Sequence, residues 1–104
     1  MTEKTIIKYD TVFSKKGDIV FISHLDLMLL FRRAIRRSGV PFVLTKGFTP
    51  RVKISMPRAL KLGQESDREE MSFWVTEEAA PERMKETLNR ELPEEIRILK
   101  ISKA

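Results

Sequence analysis

The apolar residues of this chain change period from two to about 3.6 and back, and then do so again, and that alternation limits the folds open to it. From about Thr5 to Phe13, Ile7, Tyr9, Thr11 and Phe13 fall on one side and Lys8, Asp10 and Val12 on the other, the pattern of a half-buried strand. Ser14 to Asp18 reads as a turn, and Ile19-Val20-Phe21-Ile22 as a returning strand, so an opening hairpin is expected. Ser23 then suits a helix N-cap, with Asp26 placed to favour the helix dipole. The spacing predicts a helix from about His24 to Ser38 that stops at Gly39. At 100° per residue, Leu27, Met28, Phe31, Ala34 and Ile35 share one face of it, while Arg32, Arg33, Arg36 and Arg37 share another.

The second cycle follows the same logic. Val40 to Thr45 reads as a strand at a sheet edge, because Pro41 has no N–H to give a ladder. Lys46 to Arg51 is expected to be a loop, Val52 to Met56 to extend or re-enter the sheet, and Pro57 to Asp67 to be irregular. Met71, Phe73 and Val75 alternate with Ser72, Trp74 and Thr76 as in a strand. Pro81 opens a helix in which Met84, Leu88 and Leu92 recur every fourth residue; Pro93 closes it, and Ile96 to Ser102 is a last strand. This order is close to the split βαβ plan, so the expected class is α+β: a ferredoxin-like sandwich with two helices on one face of a mainly antiparallel sheet. At 104 residues, one domain spanning 1–104 is the default.

Composition then narrows the chemistry. Without cysteine, the chain has no thiolate zinc site, no cysteine nucleophile and no iron–sulfur cluster of its own, and its single histidine argues against a His-rich metal site. No cofactor or metal is expected. No stretch is apolar enough to span a membrane and the N-terminus lacks the features of a signal peptide, so a cytoplasmic chain without a membrane partner is expected. The net charge of +5 is unevenly placed. Between Asp26 and Glu65 there is no acidic residue, while Arg32, Arg33, Arg36, Arg37, Lys46, Arg51, Lys53, Arg58 and Lys61 all lie there.

Such a segment, with Phe48 among its cations, can neutralise phosphates and stack on an unpaired base, the chemistry of RNA binding. The plainer alternatives are a solvated basic face with Phe48 in the core, or a face that meets an acidic protein. His24, at the start of a helix beside this segment, invites a role as general acid or base on an RNA 2′-hydroxyl. Ser23 and Asp26 already have work as a cap, however, and a hydrogen-bonded structural histidine is the simpler reading. Trp74 falls on the side of its strand away from the core residues, where it either stacks on a base or packs under a loop or partner. Glu82, Glu86 and Glu91 among Arg83, Lys85 and Arg90 read as an exposed face with mixed charge. There is no glycine-rich phosphate loop, nucleophile elbow or carboxylate set at metal-binding spacing.

The run Phe21-Ile22-Ser23-His24-Leu25-Asp26-Leu27-Met28, continued by Phe31-Arg32-Arg33-Ala34-Ile35-Arg36-Arg37-Ser38-Gly39-Val40-Pro41, resembles the radical-SAM-linked family, the DUF2344 domain. Lys46-Gly47-Phe48-Thr49-Pro50-Arg51-Val52-Lys53-Ile54-Ser55 and the stretch from Ala59 to Ser66 carry the likeness further. The resemblance implies association with a separate radical SAM protein, and a role in RNA or ribosome-related metabolism. It covers about residues 7–100 and corresponds to the N-terminal half of a typical member, which continues for roughly another domain's length. Two departures stand out. The family commonly has Asn at Thr49 and His-Pro at Arg51-Val52, and an acidic residue at Ser72.

The expected function is therefore a noncatalytic RNA-binding or substrate-presenting module working with a radical SAM enzyme. Arg32, Arg33, Arg36, Arg37, Lys46, Arg51, Lys53 and Arg58 would meet phosphates and Phe48 would stack. One alternative is an adaptor whose basic face docks a radical SAM partner or, as a homodimer, a second copy; another is a ribonuclease-like enzyme centred on His24.

Overall fold

The computed structural model describes residues 6–58 and 63–104. Lys61 and the motif stretch 59–62 lie outside the described residues. Strand β1 (Ile7–Lys15) leads through a 3₁₀ turn (Gly17–Phe21) into helix α1 (His24–Ser38), and a short strand β2 (Ile54–Ser55) precedes β3 (Ser66–Val75). Helix α2 (Pro81–Glu91) and β4 (Ile96–Lys103) complete the chain. The sheet order is β2-β3-β1-β4, with every neighbouring pair antiparallel. That order, with two helices on one face, is the ferredoxin-like sandwich of the α+β class.

The core lies between that face and the helices. Leu27, Phe31, Ala34 and Ile35 of α1 and Met84 and Leu88 of α2 are buried in one cluster with Tyr9, Phe13, Met71, Phe73, Ile96 and Ile98. The rings of Phe13 and Phe31 meet edge to face at 4.8 Å, the arrangement that aromatic quadrupoles favour. The Tyr9 hydroxyl, at the buried end of its ring, donates to the Ala79 carbonyl at 3.1 Å and so fixes the entry to α2.

Both ends of α1 follow local chemistry. Ser23 Oγ accepts from the Asp26 amide at 3.1 Å, and Gly39 ends the helix at φ 85°, a left-handed conformation that glycine adopts without the Cβ penalty. The expected hairpin does not form: Gly17–Phe21 is a 3₁₀ turn. Strand β1 is an inner strand, with β3 along one edge and β4 along the other, which leaves no edge for a returning segment. Gly17 turns the chain at φ 68°, Val20 alone of the apolar run is buried, and the Lys16 amide is held by the Glu95 carbonyl at 2.9 Å.

Two other elements differ from expectation. Val40 to Thr45 makes only isolated bridges, Phe42 to Val75 and Leu44 to Val52, rather than a continuous edge strand. Strand β3 begins at Ser66, several residues before the apolar alternation, because Ser66, Glu69 and Glu70 pair with Lys15, Phe13 and Val12 of β1.

Candidate nucleic-acid interface

Between α1 and β3 the chain forms a two-arm ribbon that leaves the sheet. Its first arm starts on β3, where the Val43 amide donates to the Trp74 carbonyl at 3.0 Å. The arms are joined by Lys53 N to Val43 O at 2.7 Å and Thr45 N to Arg51 O at 2.7 Å. The Thr45 hydroxyl also accepts from the Arg51 amide at 3.0 Å. The second arm returns to β3 where Ile54 and Ser55 pair with Phe73 and Ser72. Lys46 and Phe48 lie in the tip of this ribbon, and the Phe48 side chain is fully exposed. Phe48 is therefore not a core residue; burying a ring of that size stabilises by about 1.5–3 kcal/mol, and the fold forgoes it here.

The base of the ribbon packs beside α1. Arg32 Nε donates to the Val52 carbonyl at 3.2 Å, tying helix to ribbon. The groove between them holds about 490 Å³, with Leu25, Leu29, Pro50 and Val52 as its apolar lining and Arg32, Arg33, Arg36 and Arg51 at its margins. Burial pulls the Arg32 pKa below the usual guanidinium value, and the positive charge of Arg51 adds to the effect. Arg32 stays protonated at neutral pH all the same, since arginine starts so high. Two like charges thus face each other across the groove. Asp26 also borders it but forms no ion pair with the arginines. An anion would relieve this repulsion.

Of the expected cations, Arg36 stays with the groove and Arg37, Lys53 and Arg58 lie away from it. The guanidinium of Arg36 lies 5.5 Å from the Phe42 ring centre, at the foot of the ribbon. Arg37 is exposed in the last turn of α1, where a cation complements the helix dipole. Lys53 turns to the helix-free face of the sheet, with its ammonium 4.7 Å from the Trp74 ring centre. Arg58 lines a separate hollow with Glu69 and Glu70. The structure therefore joins Arg32, Arg33, Arg36 and Arg51 in one groove, sets Lys46 and Phe48 at the adjoining tip, and leaves Lys53 and Arg58 elsewhere.

His24 is half-buried in the first turn of α1, and its buried Nδ1 has no hydrogen-bond partner among the described residues. The hydrogen bond expected of a structural histidine is thus missing at that atom, and no acid–base partner meets it there. Ser72 donates its hydroxyl to Asp10 Oδ1 at 2.7 Å. Leu25 and Leu29, outside the expected site residues, line the groove although they are exposed, and Trp74, expected either to stack on a base or to pack under a loop or partner, stands between Lys8 and Lys53 on the open sheet face. The strand alternation puts Trp74 on that face; its lysine neighbours depend on the pairing register, which no single segment reveals.

Among the described residues no helix is long and apolar enough to cross a membrane, and no group of three or more His, Cys, Asp or Glu side chains is placed to hold a metal. No curated protein and no solved structure matches the chain. Residues 8–104 match the family described as "Uncharacterized protein conserved in bacteria (DUF2344)", and the chain belongs to that family.

Proposed function

We propose that the chain is a noncatalytic RNA-binding module that holds an unpaired stretch of RNA between α1 and the ribbon. One observation carries the reading: a fully exposed aromatic ring at the tip of a ribbon whose base adjoins a groove edged by four arginines, none paired with a carboxylate among the described residues. Phosphates would settle between Arg32 and Arg51, where the two positive charges repel, and a base would stack on Phe48. The motif resemblance adds an expected setting, in which the module presents RNA to a separate radical SAM enzyme in the cytoplasm.

The test is anisotropy of a labelled RNA pool against the parent and an Arg33→Glu/Arg51→Glu variant. Arg32 is left in place because its Nε supports Val52. If four cations each meet a phosphate of a single strand, affinity falls about 50-fold between about 50 and 200 mM salt. The folded variant should bind far more weakly at the lower salt. A folded parent that binds no RNA even there would sink the reading.

A second reading has its own observation. Leu25 and Leu29 are 75% and 43% exposed along the groove, so an acidic amphipathic segment of a protein partner would find an apolar strip edged by arginines. A stable complex with such a partner, formed without RNA and lost in Leu25→Ser, would favour it.

A further inference from the structure

On the sheet face that the helices leave open, Trp74 of β3 lies directly across from Lys8 of β1. The Lys8 ammonium is 5.8 Å and the Lys53 ammonium 4.7 Å from the centre of the Trp74 ring. The ring is half-buried rather than covered. In the next row, Ser72 donates to Asp10 at 2.7 Å and Lys8 is 3.9 Å from the same carboxylate. Asp10 is thereby engaged, and the Lys53 ammonium has no carboxylate partner among the described residues. Lys53 also stands two residues along the ribbon arm from Arg51, a separation of about 7 Å in an extended chain. The positive groove and the Trp74 ring are therefore joined by one strand of the ribbon.

We infer that Trp74, flanked by Lys8 and Lys53, is a second stacking site for an unpaired nucleobase, reached by the RNA strand as it passes from Arg51 along the ribbon to the sheet. This rests on the RNA-binding reading above. The ring supplies a flat apolar face for the base and the Lys53 ammonium, which has no carboxylate partner among the described residues, meets a flanking phosphate, the combination that single-stranded nucleic acid sites use. The path has an end as well as a beginning. Farther along the sheet face a wide hollow sets Asp10, Asp67 and Glu70 among Lys8, Arg68 and Lys100, so the excess of positive charge that draws a polyanion ends there.

Trp74 is the one tryptophan of the chain, so its emission reports this site alone. The experiment titrates the full chain with a short single-stranded RNA and with an abasic oligonucleotide of the same length, following Trp74 fluorescence and the anisotropy of a labelled strand together. RNA should quench the emission saturably, with the dissociation constant given by anisotropy, whereas the abasic strand should leave the emission unchanged. Trp74→Leu should weaken RNA binding about 5- to 150-fold, the range measured for losing one stacked base, without altering the salt dependence. RNA that binds by anisotropy but leaves the emission unchanged, or an abasic strand that quenches equally, overturns the second site and leaves the first. Absence of RNA binding by anisotropy overturns both.

Discussion

Arg97, at the start of β4, aims its guanidinium at three carbonyls, those of Asn89 at 2.9 Å, Leu92 at 2.8 Å and Pro93 at 2.7 Å. Arg33 and Arg51, beside α1 and the ribbon, give their guanidinium groups no hydrogen bond or ion pair among the described residues. On the α2–β4 side, carbonyls and amides are taken up by the fold, although the buried Nε of Arg97 has no partner among the described residues: Asn89 both donates to the Ile98 carbonyl at 3.0 Å and accepts from its amide at 2.7 Å, closing part of an edge strand. On the α1–ribbon side the guanidinium groups of Arg33 and Arg51 remain available. Arginines with equal formal charge thus do different work, and what separates them is whether orphan carbonyls at a helix end lie within reach.

The sharpest way to break this comparison is to truncate one arginine from each side. Arg97→Ala strands three carbonyls that a charged donor had satisfied, and should lower unfolding stability by about 2–4 kcal/mol. Arg33→Ala should stay within about 0.5 kcal/mol of the parent while weakening RNA binding. Denaturant midpoints and anisotropy on the same preparations decide it; equal midpoints for the two variants would erase the distinction. Asn89→Ala tests the same side more gently. It leaves the Ile98 amide and carbonyl without their side-chain partner, and a loss of about 1–3 kcal/mol is expected with no change in RNA affinity.

Arg32 belongs to both regions, which makes it the finest probe of the boundary between them. Its Nε ties α1 to Val52, and its charge faces Arg51. Arg32→Met should therefore lose about 1 kcal/mol of stability and, if the cation meets a phosphate, reduce the salt slope of RNA binding by about 0.7. A change in stability alone would move Arg32 to the structural side.

How much of this was open to view in the sequence depended on the range of the forces involved. Helix α1 was legible to the residue, because Ser23, the arc from Leu27 to Ile35 and Gly39 are local signals that the tertiary structure reinforces. The 3₁₀ turn has the sequence of a strand, because four apolar residues in a row do not reveal that both edges of β1 are occupied by strands from farther along the chain. The start of β3 was hidden for the opposite reason: Ser66 to Glu70 is charged and poor in strand formers, and only pairing with β1 makes it extended. The groove was half visible. Helical spacing put the arginines on one face, but whether Arg51 or Arg58 joined them depended on where the ribbon folded back, and Arg51 came to the groove while Arg58 went to Glu69 and Glu70.

The smallest effect should come from a charge pair that is structural by geometry but open to solvent. Lys103 Nζ lies 2.8 Å from Glu78 Oε1. The hydrogen bond from Lys103, with its positive charge, holds the Glu78 carboxyl below the usual range, and Glu78 in turn raises the Lys103 ammonium. A carboxyl depressed in the folded state stabilises that state above its unfolded value and loses the contribution as pH falls through the folded one; the raised ammonium loses its contribution as pH rises through its folded value. Glu78→Gln should therefore lower the melting temperature slightly at neutral pH, and the difference from the parent should close toward both acid and alkaline extremes. Because both side chains are more than half exposed, added salt should shrink the neutral-pH difference as well. A difference that persisted in acid or in high salt would mean that Glu78 holds the β4 end by packing or by its other contacts. It would then resemble Arg97 in being fixed by the fold, and the line between the two regions would be drawn by burial and not by available carbonyls.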